Sequence, residues 1–282
     1  MNNVLYVDKP IGMTSFDLCF KLRKVLNTKK IGHTGTLDPN ASGVMIILFD
    51  NATKTNQFLV SDRKTYEARV LFGISTDTLD IDGNITDEKE YIIPDRDRIV
   101  DTLNSFMGKS MQEVPITSAI KINGKRLYQY QLANQEVELP IREIEVFSIE
   151  LSQIFDDGFS FICEVSSGTY IRSLVRDILV KLDLIGTLKS LRRLAINDIS
   201  VEQCDKLDDI LKGNYHKHNV LDLLKLRYFS MEYADIDAIK NGKRINIDCN
   251  EDKILFYVDD EALAIYQKDK IKGDYYILRG LW

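Results

Sequence analysis

The segment Gly32-His33-Thr34-Gly35-Thr36-Leu37-Asp38-Pro39-Asn40-Ala41-Ser42-Gly43-Val44 gathers the residue types in this chain best suited to chemistry. Its three glycines lie within twelve residues, which lets a backbone approach a ligand closely or adopt positive φ. Asp38 stands directly before Pro39, and a residue before proline is pushed to an extended conformation. A carboxylate held in limited geometry on such a loop suits a nucleophile or a general base. Asp-Pro is also a common turn dipeptide, and residue types alone favour that plainer reading. His33, one of three histidines, sits in the same glycine-rich stretch and is a poor fit to a plain core histidine. His216 and His218 show neither ligand spacing nor an evident acid partner, so they receive no role.

The elements that must hold these residues can be read from periodicity. Thr14-Ser15-Phe16-Asp17 is a helix start, a hydroxyl cap followed three residues on by an acid. Leu18, Leu22, Val25 and Leu26 then recur at helical spacing, with Arg23 and Lys24 off the stripe. Residues 29–43 show no periodicity and read as a loop, followed by a short buried strand over 44–49. Residues 66–72 alternate as a half-buried strand does, with Tyr66, Ala68, Val70 and Phe72 on one face, so Tyr66 by itself reads as core. Asp82-Gly83-Asn84 signals a turn within an acidic stretch. Residues 144–151 and 159–165 form a hairpin through Asp156-Asp157-Gly158. After Gly168 comes the strongest helix, with Ile171, Leu174, Val175, Ile178, Leu179 and Leu182 on one face and Arg172 and Arg176 together on another. Short β-like runs at 254–258, 263–266 and 275–278 suggest a separate small β-rich unit. Strands and helices without regular alternation argue an α+β fold, not a doubly wound parallel sheet.

The chain has 282 residues, 44% hydrophobic and 28% charged, which excludes a disordered chain. No apolar run reaches the ~20 residues of a membrane helix, and no signal-peptide core follows Met1-Asn2-Asn3. The four cysteines, Cys19, Cys163, Cys204 and Cys249, form no C-x-x-C pair, so neither zinc ribbon nor disulfide scaffold is indicated. Glycine-rich nucleotide fingerprints are absent, and no nucleotide cofactor is expected. These features predict a soluble, reduced, cytoplasmic protein. The net charge of −6 argues against a nucleic-acid binder, but its distribution does not. Residues 1–60 carry seven Lys/Arg against four acids, residues 162–195 six against three, and residues 70–105 three against nine. A basic face assembled from the two positive stretches would survive the acidic total.

The 32–44 segment resembles the catalytic motif of the bacterial tRNA pseudouridine-55 synthases, the TruB family. Other blocks follow in the family's order: Lys9-Pro10-Ile11-Gly12-Met13-Thr14-Ser15, Lys64-Thr65-Tyr66-Glu67-Ala68 and Thr76-Asp77-Thr78-Leu79-Asp80-Ile81-Asp82-Gly83. After them come Val114-Pro115 through Ser118-Ala119 and Lys121, Gly124 with Arg126 and Tyr128, Ser167-Gly168-Thr169-Tyr170-Ile171-Arg172, and Leu191-Arg192-Arg193. The likeness covers about residues 5 to 195, and ordered blocks are far more specific than one short motif. The sequence departs from the pattern at Ile116, where a second proline often stands, and in 128–135, which lacks the arginine usual there. Both bear on RNA-contact details and not on the reaction. A further short likeness, Ala238, Asn241-Gly242 and Arg244-Ile245, is to the small RNA-binding PUA domain.

The resemblance implies isomerisation of uridine 55 in the T loop of tRNA to pseudouridine. The uracil N1–C1′ bond breaks, the base rotates, and C5 joins C1′, with no metal and no other cofactor. It implies a mixed, mainly antiparallel central sheet with flanking helices over residues 1–225 and a β-barrel-like PUA domain over 226–282. It gives Asp38 the role of catalytic aspartate, Tyr66 that of the ring stacking on the target base, and Arg172 that of the aspartate's partner. Leu191 becomes a pocket residue and His33 a residue beside the extruded loop. Asp80, Gly35 and Thr36 join the substrate-binding set, and Lys189, Arg192 and Arg193 are expected to contact the RNA backbone. Lys9 and Pro10 are expected only to fix the exit of the first strand. The expected partner is the tRNA T arm, bound by a monomer without an obligatory protein partner or membrane. Two other readings are a subunit of a guide-RNA-dependent pseudouridine synthase and a non-catalytic tRNA-binding or folding factor.

Overall fold

The computed structural model describes residues 3–59, 63–133 and 135–282. Met1 and Asn2, and Asn134 of the 128–135 stretch, lie outside the described residues. The chain divides into two compact units. One comprises residues 3–39, 44–59 and 202–282, the other residues 40–43 and 63–201.

In the first unit the strand Val4–Lys9 is buried at every position but one. It pairs in parallel with the short strand Asp205–Lys206, placing Val7 opposite Asp205. Next comes the helix Ser15–Val25, capped as its sequence predicts: Thr14 accepts from the Asp17 N–H, and the Asp17 carboxylate accepts from the Thr14 N–H. Leu18 and Leu22 are fully buried, so the apolar stripe faces the core. Residues 29–43 are not all loop. Ile31–His33 forms a short antiparallel strand against Ala41–Phe49, with His33 opposite Ile47, because the apolar 44–49 run offers an edge that a three-residue segment can join. Residues 229–280 form a four-stranded sheet in the order Phe229–Glu232, Lys253–Val258, Glu261–Lys268 and Tyr275–Gly280. Its first pair is parallel and the others antiparallel, over a core that includes Ile239, Ile254, Phe256, Tyr266 and Tyr275.

The second unit is built on an antiparallel run of strands in the order Gly186–Ile196, Arg63–Phe72, Gly158–Ser166, Ile141–Phe155 and Gly108–Glu113. The 158–166 and 141–155 strands form the expected hairpin, closed where Phe155 faces Gly158. Residues 41–43 pair in parallel with 191–193. Gly43 has φ +107°, and a Cβ there would lie 2.1 Å from the Arg193 carbonyl oxygen, so only glycine fits. The helix Ile171–Lys181 buries Ile171, Leu174, Val175, Ile178 and Leu179, as its periodicity predicts. It also buries Arg172, which the sequence set on a separate face. Strands and helices mixed without regular alternation agree with the α+β expectation.

Candidate active site

The Asp38 loop is pinned on both sides by the start of the first helix and the segment that precedes it. The buried Ser15 Oγ accepts from the Leu37 N–H and donates to the Leu37 carbonyl, each at 2.9 Å. The Gly12 N–H donates to the Pro39 carbonyl at 2.9 Å. Lys9 is fully buried, and its Nζ donates to the carbonyls of Pro10 at 2.9 Å and Pro39 at 3.3 Å. Lys9 therefore does more than guide the chain out of the first strand: it ties that exit to the residue after Asp38. Together these bonds fix the peptide units flanking Asp38, which is half-buried. On the same loop, His33 ends its strand half-buried, Gly35 is half-buried and Thr36 is exposed.

In the second unit Tyr66 is 6% exposed and points with Ala68 and Val70 to the buried face of its strand. Cross-strand register sets it between Cys163 on one side and Arg193 on the other. Leu191 faces Ala68, which makes it a same-face diagonal neighbour of Tyr66, within reach of an aromatic side chain. Lys64 shares this face by alternation. Burial first, and then the Arg193 charge, pushes its pKa down to about 8.

Arg172 is 6% exposed and is not a solvated helix-face arginine. Its guanidinium donates to the Thr78 carbonyl at 3.1 Å, the Thr117 carbonyl at 2.9 Å and the Thr117 hydroxyl. The turn carrying Asp80 is thereby bound to the Arg172 helix. The same turn is also stitched to the Leu191 strand, through Ile81 N–H to the Leu188 carbonyl and Leu188 N–H to the Leu79 carbonyl. Within this unit Tyr66 and Leu191 share one strand face, and Asp80, Arg172 and the Leu191 strand are joined by hydrogen bonds. Asp38, His33, Gly35 and Thr36 belong to the other unit.

The expected RNA-backbone contacts fare differently. Arg193 is fully buried beside Tyr66 and has no solvent-facing surface to offer a phosphate, which corrects that expectation. Lys189 is in an ion pair with Asp157 at 2.6 Å, which holds that carboxyl below its usual range. Arg192 is half-buried and donates to the Ser42 hydroxyl at 3.2 Å. His216 does have an acid partner: its Nδ1 lies 2.8 Å from Asp205, and His218 stacks on Tyr6 at 3.8 Å between ring centroids. Among the described residues, no three His, Cys, Asp or Glu side chains converge on a potential metal site.

Sequence reasoning missed Ser15, Thr117 and Lys64. All three stand inside the quoted blocks. Lys64 also shares the parity of Tyr66, which was the available signal. Nothing in the order of residues ties Thr117 to Arg172.

A family model for TruB family pseudouridylate synthase (N terminal domain) matches residues 23–171. The chain belongs to the TruB family. A tRNA pseudouridine synthase B from Lactobacillus acidophilus is 37% identical over 98% of this chain and 96% of its own length. The protein of that name from Bacillus licheniformis is 42% identical over 74% of this chain and 70% of its own. Among solved structures, a chain of a Cbf5-Nop10-Gar1 complex superposes with a TM-score of 0.73 at 22% identity, covering 99% of this chain and 85% of that one. A chain of an archaeal box H/ACA sRNP Nop10-Cbf5 complex gives 0.70 at 19%, covering 100% and 86%. These two likenesses are of fold. No helix among the described residues is long and apolar enough to cross a membrane.

Proposed function

We propose that this protein converts uridine 55 in the T loop of tRNA to pseudouridine, acting alone, as a monomer, in the cytoplasm. The observation that carries the reading is the near full-length likeness to proteins named tRNA pseudouridine synthase B. A uridine in a folded T loop offers neither C1′ nor C5 to a side chain, so it must be flipped out, at a cost of a few kcal/mol. Tyr66 recovers part of that cost by stacking on the base, and Leu191, its diagonal neighbour, lines the apolar side of the same pocket. Asp38 supplies the carboxylate for the step in which N1–C1′ breaks. Its flanking peptides are fixed by Ser15, Gly12 and Lys9, so little reorganisation is needed at the moment of reaction. Arg172 offers a planar fork of donors to that carboxylate, while its bonds to Thr78 and Thr117 set the plane of the fork. His33, Gly35, Thr36 and Asp80 contact the substrate around the flipped nucleotide, and Lys189 and Arg192 the RNA backbone. Residues 226–282 form a PUA-like RNA-binding domain on the four-stranded sheet, with residues 1–225 as the catalytic domain.

The stand-alone reading is favoured over the guide-RNA-dependent one by 37% identity along nearly the whole chain, against 22% for the likeness to a chain of the Cbf5 complex. The test is incubation with an unmodified tRNA transcript and no other protein, followed by pseudouridine mapping. Pseudouridine at position 55 is expected. Its absence, at protein concentrations that bind the RNA, would refute the reading.

A further inference from the structure

The first helix presents an unusual outer face. Phe16 and Phe20, one turn apart, are 65% and 63% exposed, and Ile11 just before the helix is 66% exposed. Single exposed apolar residues are ordinary, but three together beside a pinned catalytic loop are not. The Arg23 guanidinium carbon lies 5.9 Å from the Phe16 ring centroid and 6.0 Å from that of Phe20, so the face carries a cation as well as two rings. Residues 16–37 hold five Lys/Arg against one acid, the helix-capping Asp17, in a protein whose net charge is −6. Lys21 and Lys24 on the helix, and Lys29 and Lys30 just after it, are all exposed.

Rings interleaved with cations are the surface that unpaired nucleotides require, since each nucleotide brings a π-face to stack and a phosphate to neutralise. An apolar protein partner would fit the phenylalanines but would meet the exposed lysines of this stretch. The face is also close to the chemistry within its own unit. Ser15, the neighbour of Phe16, is bonded to Leu37 and Gly12 to Pro39, on either side of Asp38. From Phe16 to Phe20 the helix rises ~6 Å, enough to serve two nucleotides in succession.

We propose that the Phe16–Phe20–Arg23 face of the first helix is a stacking platform for unpaired nucleotides of the tRNA that flank the target uridine. The proposal rests on the reading of the protein as a tRNA pseudouridine synthase. The platform contributes to holding the RNA and takes no part in bond breaking, so its loss changes affinity and leaves the rate at saturation unchanged.

The experiment compares wild type, the double variant F16L/F20L and the variant F20W. Each is measured for affinity to a T-arm stem–loop RNA and for the single-turnover rate at saturating RNA. Leucine keeps the apolar character and the helix propensity but has no π-face. F16L/F20L is expected to bind on the order of 10-fold more weakly, with a saturating rate within about twofold of wild type. F20W is expected to keep wild-type affinity, and its indole fluorescence should be quenched by RNA beyond the Trp282 background measured in wild type. An F16L/F20L affinity within about twofold of wild type, together with no added quenching in F20W, would overturn the proposal and leave the face to a protein partner. Wild type that fails to bind or modify the RNA would refute the functional reading itself, and is recognised without either variant.

Discussion

Replacing Ser15 with alanine isolates the scaffold of the Asp38 loop from its chemistry. Ser15 is 3% exposed and clasps the Leu37 backbone through two bonds of 2.9 Å. Alanine leaves the buried Leu37 N–H and carbonyl without those partners. An orphaned buried N–H costs about 1–3 kcal/mol, and the carbonyl, with a second lone pair, loses about 1 kcal/mol more. The helix term runs the other way, since alanine exceeds serine in helix propensity by about 0.5 kcal/mol. The orphaned groups dominate, and Ser15→Ala should lose about 1.5–3.5 kcal/mol of stability in urea denaturation. The Asp38 loop then loses its clasp at Leu37, while the bonds to Pro39 remain. A carboxylate displaced by a fraction of an ångström should cost between about 10- and 100-fold in single-turnover rate, with RNA affinity nearly unchanged. A variant of wild-type stability and rate would show that the reciprocal bond does not position the aspartate.

Asp38→Asn should abolish turnover while preserving tRNA affinity, since it removes the charge but keeps the shape; near-normal turnover would remove Asp38 from the mechanism. Arg172→Lys keeps the charge but cannot serve the Thr78 and Thr117 carbonyls with one planar fork, so both rate and melting temperature should fall, and a wild-type rate would reduce Arg172 to a structural role. Gly43→Ala sets a methyl against the Arg193 carbonyl at a φ of +107° and should cost about 3 kcal/mol or more, which a thermal melt would show. Lys64 titrates near 8 in the folded chain against an ordinary value of 10.5, so between those values the unfolded chain holds a proton the native one lacks. Stability should therefore rise with pH across that window, by up to about 3 kcal/mol, and Lys64→Met should flatten that slope and stabilise the protein at pH 7; equal slopes in urea titrations at pH 7 and 10 would refute the assignment.

What could be read from the sequence was whatever is local in cause. The Thr14–Asp17 capping box, the alternation around Tyr66 and the apolar stripe of the Arg172 helix each arise from neighbours within a turn or two. Register carried Leu191 to Tyr66 without being visible beforehand, because pairing between strands more than a hundred residues apart leaves no local periodicity. Arg172 shows the same limit from the other side. Helical spacing sets it off the apolar stripe, yet it is buried, because Thr78 and Thr117 supply acceptors that satisfy its donors inside the protein. The short 31–33 strand leaves no signal in the sequence, because its length is below what alternation can show, and its existence depends on the edge offered by 44–49.

The distribution of charge tests how far a count of residues can predict a surface. The 162–195 stretch was expected to be a basic face, yet its cations are largely committed inside their own unit. Arg193 is enclosed beside Tyr66, Arg172 serves the Thr78 turn, Arg176 pairs with Glu113 and Asp177, and Lys189 pairs with Asp157. A cation already matched to a carboxylate contributes less to phosphate binding, because the carboxylate must first be given up or repelled. The 16–37 stretch differs, since its five Lys/Arg face one acid, Asp17, and its four lysines are exposed. An electrostatic face needs both an excess of charge and a lack of internal partners, and the second condition is set by the fold. By that criterion the first helix and the segment that follows it meet the two conditions better than the 162–195 stretch does.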